Sequence, residues 1–217
     1  MKTPIFTGSG VALITPMHPD GQVNYEELHK MVEFQIESGT DSIVICGTTG
    51  EASTLNVTEH LKCIEVAIRA TNGRVPLIAG TGSNDTAHAV MMSKEAKALG
   101  ADGLLLVTPY YNKTSQNGLV LHYNTIVDAA GLPAIVYNVP SRTGLNIQPK
   151  TAHELAKHPL ICGIKEASGN ISQVAQISAM CGDDLPIYSG NDDQVVPLLS
   201  LGAVGVISVV ANVAPSQ

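Results

Sequence analysis

Eight short apolar runs, spread over the whole chain, limit its fold more than any other feature. They are "GVALIT" from Gly10, "SIVIC" from Ser42, "VPLIAG" from Val75, "GLLLVTP" from Gly103, "PAIVYNV" from Pro133, "ICGIKE" from Ile161, "LPIYSG" from Leu185 and "GVISVV" from Gly205. Their starts lie roughly 20 to 35 residues apart, the length of a strand, a crossover helix and two short loops. Strands joined by such crossovers pair in parallel. Strands buried on both faces and alternating with helices form an open doubly wound sheet or a closed (β/α)8 barrel, and an unbroken count of eight predicts the TIM barrel. The 217 residues fit one α/β domain over 1–217.

The segments between the runs carry helix signals. In "NYEELHKMVEFQIESG", Asn24 can cap and Glu27 stands three residues on; in "NVTEHLKCIEVAIRA", Asn56 and Glu59 repeat the pattern. Leu28, Met31, Val32 and Gln35/Ile36 recur at helical spacing, one stripe to lay on a sheet, and Gly39 stops that helix. Pro149 suits a first helical turn.

Composition excludes several roles. A net charge of −7 with no basic run argues against a nucleic-acid surface, which needs clustered Lys and Arg to neutralise phosphates. No apolar run reaches membrane-spanning length and "MKTPIFTGSG" has no signal-like apolar stretch, so the expectation is a soluble, cytoplasmic protein with no membrane partner. Cys46, Cys63, Cys162 and Cys181 lie inside apolar patterns without CxxC spacing and read as small core residues. His29, His60, His88, His122, His153 and His158 fall mostly in helical stretches without HExxH or a dense carboxylate cluster, so no metal site is expected.

A barrel gathers its chemistry where strands end. The polar, Gly-rich stretches stand there: "GTTGE", "GTGSND", "TPYYN", "YNVPSRTG", "KEASGN" and "SGNDD". Lys165 closes the sixth run. A strand-end lysine ordinarily snorkels to water. If Lys165 points inward instead, Ile161 and Gly163 share its face, Gly163 clears space beneath it, and burial lowers the amine's pKa toward that of a Schiff-base nucleophile. In "GTTGE", Thr48 and Thr49 put hydroxyls and backbone N–H groups in a nest suited to a small carboxylate. Tyr137, Tyr110 and Tyr111 end neighbouring strands, where phenols can relay a proton. Arg142 in "PSRTG" offers a bidentate fork for a second carboxylate. "GNDD" reads as a solvated helix start. "GTGSND" lacks the GxGxxG pattern of a dinucleotide site.

"GTTGE", "VTPYYNK", "YNVPSRTG", "GIKEASGN" and "GVISV", in this order and spacing, resemble the dihydrodipicolinate synthase family of pyruvate-dependent class I aldolases and lyases, from about Phe6 to the last residue. The resemblance implies a catalytic barrel that condenses pyruvate with L-aspartate 4-semialdehyde to 4-hydroxy-tetrahydrodipicolinate, in lysine and diaminopimelate biosynthesis. It implies that Lys165 forms a covalent imine with pyruvate, so that no cofactor is needed. Tyr137 would move protons, linked to Thr48 and to Tyr111 reaching in from a neighbouring subunit of a homodimer or homotetramer. Thr49, with the Thr48 and Thr49 amides, would hold the pyruvate carboxylate, the backbone at Gly190 and Ile207 would line the pocket, and Arg142 would grip the aldehyde substrate's carboxylate. An allosteric lysine cleft would include Ser53, His60, Asn84 and Tyr110. His88 there stands where lysine-inhibited relatives carry a glutamate, so weak inhibition is expected.

The chain stops at "VVANVAPSQ", where the eighth outer helix is due, and the resemblance implies that helix and a further helical C-terminal region. The expectation is a barrel truncated before both, with apolar surface left bare near strand 8. Two other readings stay open: a related aldolase similar to N-acetylneuraminate lyase, and a non-catalytic barrel acting as a binding subunit. A sugar acceptor would need hydroxyl partners in place of Arg142.

Overall fold

The eight runs form eight strands that close on themselves in sequence order, each parallel to its neighbours. The computed structural model describes residues 2–216. The strands are β1 Gly8–Ala12, β2 Ser42–Ile45, β3 Leu77–Gly80, β4 Gly103–Val107, β5 Ala134–Asn138, β6 Ile161–Glu166, β7 Ile187–Ser189 and β8 Gly205–Ser208. Between them run α1 Tyr25–Glu37, α2 Val57–Thr71, α3 Thr86–Leu99, α4 Gln116–Ala130, α5 Pro140–Thr143, α6 Pro149–Leu155, α7 Ile171–Cys181 and α8 Val195–Ser200. The predicted barrel is the observed one.

The helix signals act as their chemistry requires. The Asn24 side chain accepts the Glu27 N–H, and at α2 the bond is reciprocal, Asn56 and Glu59 each satisfying the other's backbone N–H. On α1 the buried stripe is Leu28, Val32 and Gln35. Pro149 opens α6.

Period-two alternation sorts the strand residues into two cores. Outward residues such as Ile43, Leu77, Leu104, Val136 and Ile164 pack beneath the helices. Inward residues Val44, Ile78, Leu105, Ile135, Tyr137, Tyr188 and Ile207 fill the barrel. Each fully buried aliphatic side chain contributes about 1.5–3 kcal/mol. At the N-terminal end of the strands Tyr188 stacks on Phe6 at 4.6 Å between ring centroids and donates to the Phe6 carbonyl at 2.7 Å, which floors the barrel.

Ile161 departs from expectation. The pairing of β5 with β6 jumps from Ala134–Ile161 to Ile135–Gly163, so Cys162 is an extra residue. That bulge shifts the alternation by one, and Ile161 joins the outer core while Gly163 and Lys165 remain on the inner face. Three of the cysteines are buried, and Cys162 at the bulge is half-buried.

After β8 the chain makes one short turn, Val210–Asn212. The Asn212 amide donates to the Ala12 carbonyl (2.8 Å) and accepts from the Ile14 N–H (3.1 Å), while Gln35 donates to the Ala211 carbonyl at 2.8 Å. This turn seals β8 to β1. Val210 and Val213 in and beside this turn lie exposed, as does Phe34 next to Gln35.

Candidate active site

Lys165 leaves β6 toward the barrel axis and is 4% exposed. Its inner-face neighbour Gly163 leaves room beneath, as expected, but that room is filled: a Cβ there would stand 2.9 Å from the Tyr188 ring. The lysine stem therefore rests on an aromatic floor. Above it, a Cβ on Gly190 would meet Lys165 Cε at 3.0 Å and Ala167 Cβ at 2.8 Å, so only glycine fits against the stem. The amine lies 4.3 Å from the centroid of the Tyr137 ring. Burial is the main cause that pulls its pKa down to about 8; Arg142 adds to the fall and Asp192 opposes it. At pH 7 about one amine in ten is then neutral, against about one in three thousand for an ordinary lysine.

Glu166 follows immediately and points the other way. Asn138 donates to both its carboxylate oxygens at 3.2 and 3.0 Å, Gln173 donates at 3.2 Å and the Ser168 N–H at 2.7 Å. Strand alternation thus explains the Lys-Glu pair: one residue faces the cavity while the other ties β5, β6 and α7 together behind it.

Tyr137 pairs with Lys165 across the β5–β6 ladder, and it lines the same cavity as Thr48. Burial raises its pKa, with Arg142 and Thr48 pulling the other way. A cavity of about 610 Å3 is lined by Thr48, Thr49, Tyr137, Arg142, Lys165, Gly190 and Asp192. Arg142 sits on α5, a single turn held from below: the Thr108 hydroxyl donates to Thr143 Oγ1 at 2.9 Å, and Thr143 caps the Leu145 N–H at 3.2 Å. Neither threonine was singled out from sequence. Ile207 is fully buried inside the barrel and presents no side chain to the cavity.

Tyr111 stands apart. It is 91% exposed, has a left-handed backbone (φ 66°), and lines neither large cavity. Tyr110 joins Tyr137, Ser53, His60 and His88 around a second cavity of about 570 Å3 that also touches Thr48 and Arg142. His60 Nε2 lies 2.8 Å from the Gly80 carbonyl; burial lowers its pKa and His88 adds to that. No carboxylate lines this second cavity among the described residues. Asn84 lies outside it, accepting from Asn112 at 3.1 Å.

Asp192 corrects the reading of "GNDD" as a solvated helix start. Its carboxylate accepts from Ser208 Oγ at 2.6 Å and from the Val209 and Val210 N–H groups at 3.1 and 3.2 Å, and it lines the Lys165 cavity. Only Asp193 beside it is exposed. The available signal was position, since the pair ends strand 7 on the same rim as the other motifs.

Residues 5–217 match the dihydrodipicolinate synthetase family. The chain belongs to that family. It is 60% identical over 214 residues to the 4-hydroxy-tetrahydrodipicolinate synthase of Caldicellulosiruptor saccharolyticus, covering 99% of this chain and 72% of the relative. The dihydrodipicolinate synthase of Acinetobacter baumannii, solved with pyruvate, superposes with a TM-score of 0.95 at 50% identity, over 97% of this chain and 72% of that one. The enzyme of Cyanidioschyzon merolae, solved with lysine bound, gives 0.95 at 40% identity over 99% and 73%. Family membership fits the cavity described above, in which a buried amine, a tyrosine–threonine pair and an arginine converge. No helix among the described residues is long and apolar enough to cross a membrane.

Proposed function

We propose that the whole chain acts as one catalytic barrel, a lyase that joins pyruvate to L-aspartate 4-semialdehyde and forms 4-hydroxy-tetrahydrodipicolinate for lysine and diaminopimelate biosynthesis. The observation that carries this reading is the buried Lys165 amine, its pKa near 8, lying against Tyr137 in a cavity that Arg142 shares. The amine attacks the pyruvate carbonyl carbon, and loss of water leaves an imine on Lys165. Tyr137, beside Thr48 in the cavity wall, supplies and removes the protons this needs. The Thr48–Thr49 nest holds the pyruvate carboxylate. Loss of a methyl proton turns the imine into an enamine, whose carbon attacks the aldehyde. The new alcohol's amino group then displaces Lys165 from the imine carbon, and the ring closes as the enzyme amine is freed. Every electron pair comes from the substrates or the lysine, so the cycle runs without a cofactor. Arg142, exposed at the rim, grips the second substrate's carboxylate by its planar fork. Tyr111 enters only from a second copy of the chain in a homodimer or homotetramer, which its exposure permits. Ser53, His60, His88 and Tyr110 line a cavity that lacks an anion for a lysine amine, so we further propose weak feedback by lysine.

The test is reductive trapping. Incubation with pyruvate and borohydride, followed by peptide mass spectrometry, is expected to place one reduced pyruvate on Lys165. Turnover should then follow with aspartate semialdehyde and not with N-acetylmannosamine. No adduct on Lys165 sinks the reading.

A further inference from the structure

We infer that Asp192 is a positioning residue for Lys165, a countercharge anchored by the turn after β8 that sets how much of the amine is charged. The inference rests on Lys165 being the reacting amine. The charged and titratable groups around that amine come from few elements. From β5 comes Tyr137, whose ring faces the amine at 4.3 Å. From α5 comes Arg142, a like charge. The loop after β2 contributes only the uncharged Thr48 and Thr49. Tyr188 pairs with Lys165 across the β6–β7 ladder, but its hydroxyl is turned to the Phe6 carbonyl on the floor. Glu166 is held behind the sheet by Asn138 and Gln173. Among the described residues, carboxylates reach the cavity from one place, Asp192 and Asp193 after β7.

The two acids differ in how they are held. Asp193 is exposed. Asp192 is half-buried, and three donors fix it: Ser208 Oγ and the Val209 and Val210 N–H groups. The Ser208 oxygen in turn accepts the Ala211 N–H at 2.9 Å, so the turn and the carboxylate form one hydrogen-bonded unit. A fixed anion favours the ammonium form, opposing burial and Arg142, which both favour the free amine. The same turn seals β8 to β1 through Asn212. The charge of the reacting amine therefore depends on the seating of the last strand.

Competitive acetylation of Lys165 by acetic anhydride, read by peptide mass spectrometry across pH, measures the amine's titration without pyruvate. In Asp192→Asn, which keeps an acceptor for the turn and loses the charge, the midpoint is expected to fall by roughly one pH unit. A lower midpoint leaves more free amine, so pyruvate trapping at pH 6.5 should be faster than in the parent protein and converge with it above pH 9. A purely structural role would slow trapping at every pH. Asp192→Glu, which restores the charge, should bring the midpoint back to within a few tenths of a unit of the parent's. A midpoint that stays put or rises in Asp192→Asn, or one that falls equally in Asp192→Glu, overturns the inference. Should trapping fail in the parent protein while the acetylation midpoint still falls in Asp192→Asn, the proposed synthase chemistry is lost and the Asp192–Lys165 linkage stands.

Discussion

Two lysines at opposite ends of the barrel are held by different kinds of neighbour. Lys2, on the floor, donates to the carbonyls of Ala156, His158 and Ile161, closing the loop that leads into β6. Its three protons have three acceptors. Lys165, at the exit of β6, is more deeply buried, and its amine lies 4.3 Å from the centroid of the Tyr137 ring. Burial lowers the pKa of both amines, but Lys2 keeps three carbonyl acceptors. Lys165 is buried further, and that burial is the main cause of its pKa near 8. The floor gives its amine three direct acceptors, while the rim gives the reactive amine an aromatic face and an anchored carboxylate lining the same cavity.

The sharpest way to break this contrast is Lys165→Met. A buried lysine whose folded pKa is lowered burdens the folded state fully at any pH below about 8, and the burden lifts as pH rises toward the unfolded value. Lys165→Met removes the reacting amine, so trapping and turnover should vanish. It should also stabilise the protein by up to about 3 kcal/mol at pH 7, from the difference between about 8 and the unfolded pKa. Urea unfolding at pH 7 and pH 10 checks this: the advantage of the variant should shrink at the higher pH. A variant less stable than the parent at pH 7 would mean the amine is solvated after all.

Gly190→Ala sharpens the contrast at the rim alone. The added methyl would meet the Lys165 stem at 3.0–3.2 Å and Ala167 Cβ at 2.8 Å, and the lysine chain is the part free to move. A shift of about 1 Å in a reacting atom costs about a hundredfold in rate. Trapping by pyruvate is expected to slow by that order, with the thermal midpoint lowered far less than the activity. Single-turnover trapping and calorimetry on the same preparation separate the two effects.

The fold was legible because its signals are local and repeated: eight apolar runs, two asparagine caps and a proline at the start of α6. The place of Lys165 was legible too, since alternation along "ICGIKE" needs only two inward positions to aim it. The same alternation misplaced Ile161, because the bulge at Cys162 is a property of pairing with β5 that no single strand records. Asp192 was hidden for a related reason. Its partners Ser208, Val209 and Val210 lie 16 to 18 residues on, and nothing in "GNDD" separates a solvated carboxylate from an anchored one. Thr108 and Thr143 meet only through the closed barrel, across 35 residues. Chemistry carried by one residue at a strand end could be read from sequence; chemistry depending on a hydrogen bond between loops could not.

Lys2→Met tests the other side of the contrast and should give the smallest effect. It removes the donor shared by three carbonyls at the entry to β6, near the register jump at Cys162. The site is only half-buried, so water can replace part of what is lost, and a cost of about 1–2 kcal/mol is expected. Because the floor and the rim are separated by the Phe6–Tyr188 stack, the Lys165 acetylation midpoint should not move. Chemical denaturation and the pH series on the same variant decide it. A shifted midpoint would show that the entry to β6 helps set the charge at its exit, and the division between a stabilising floor and a reactive rim would have to be given up.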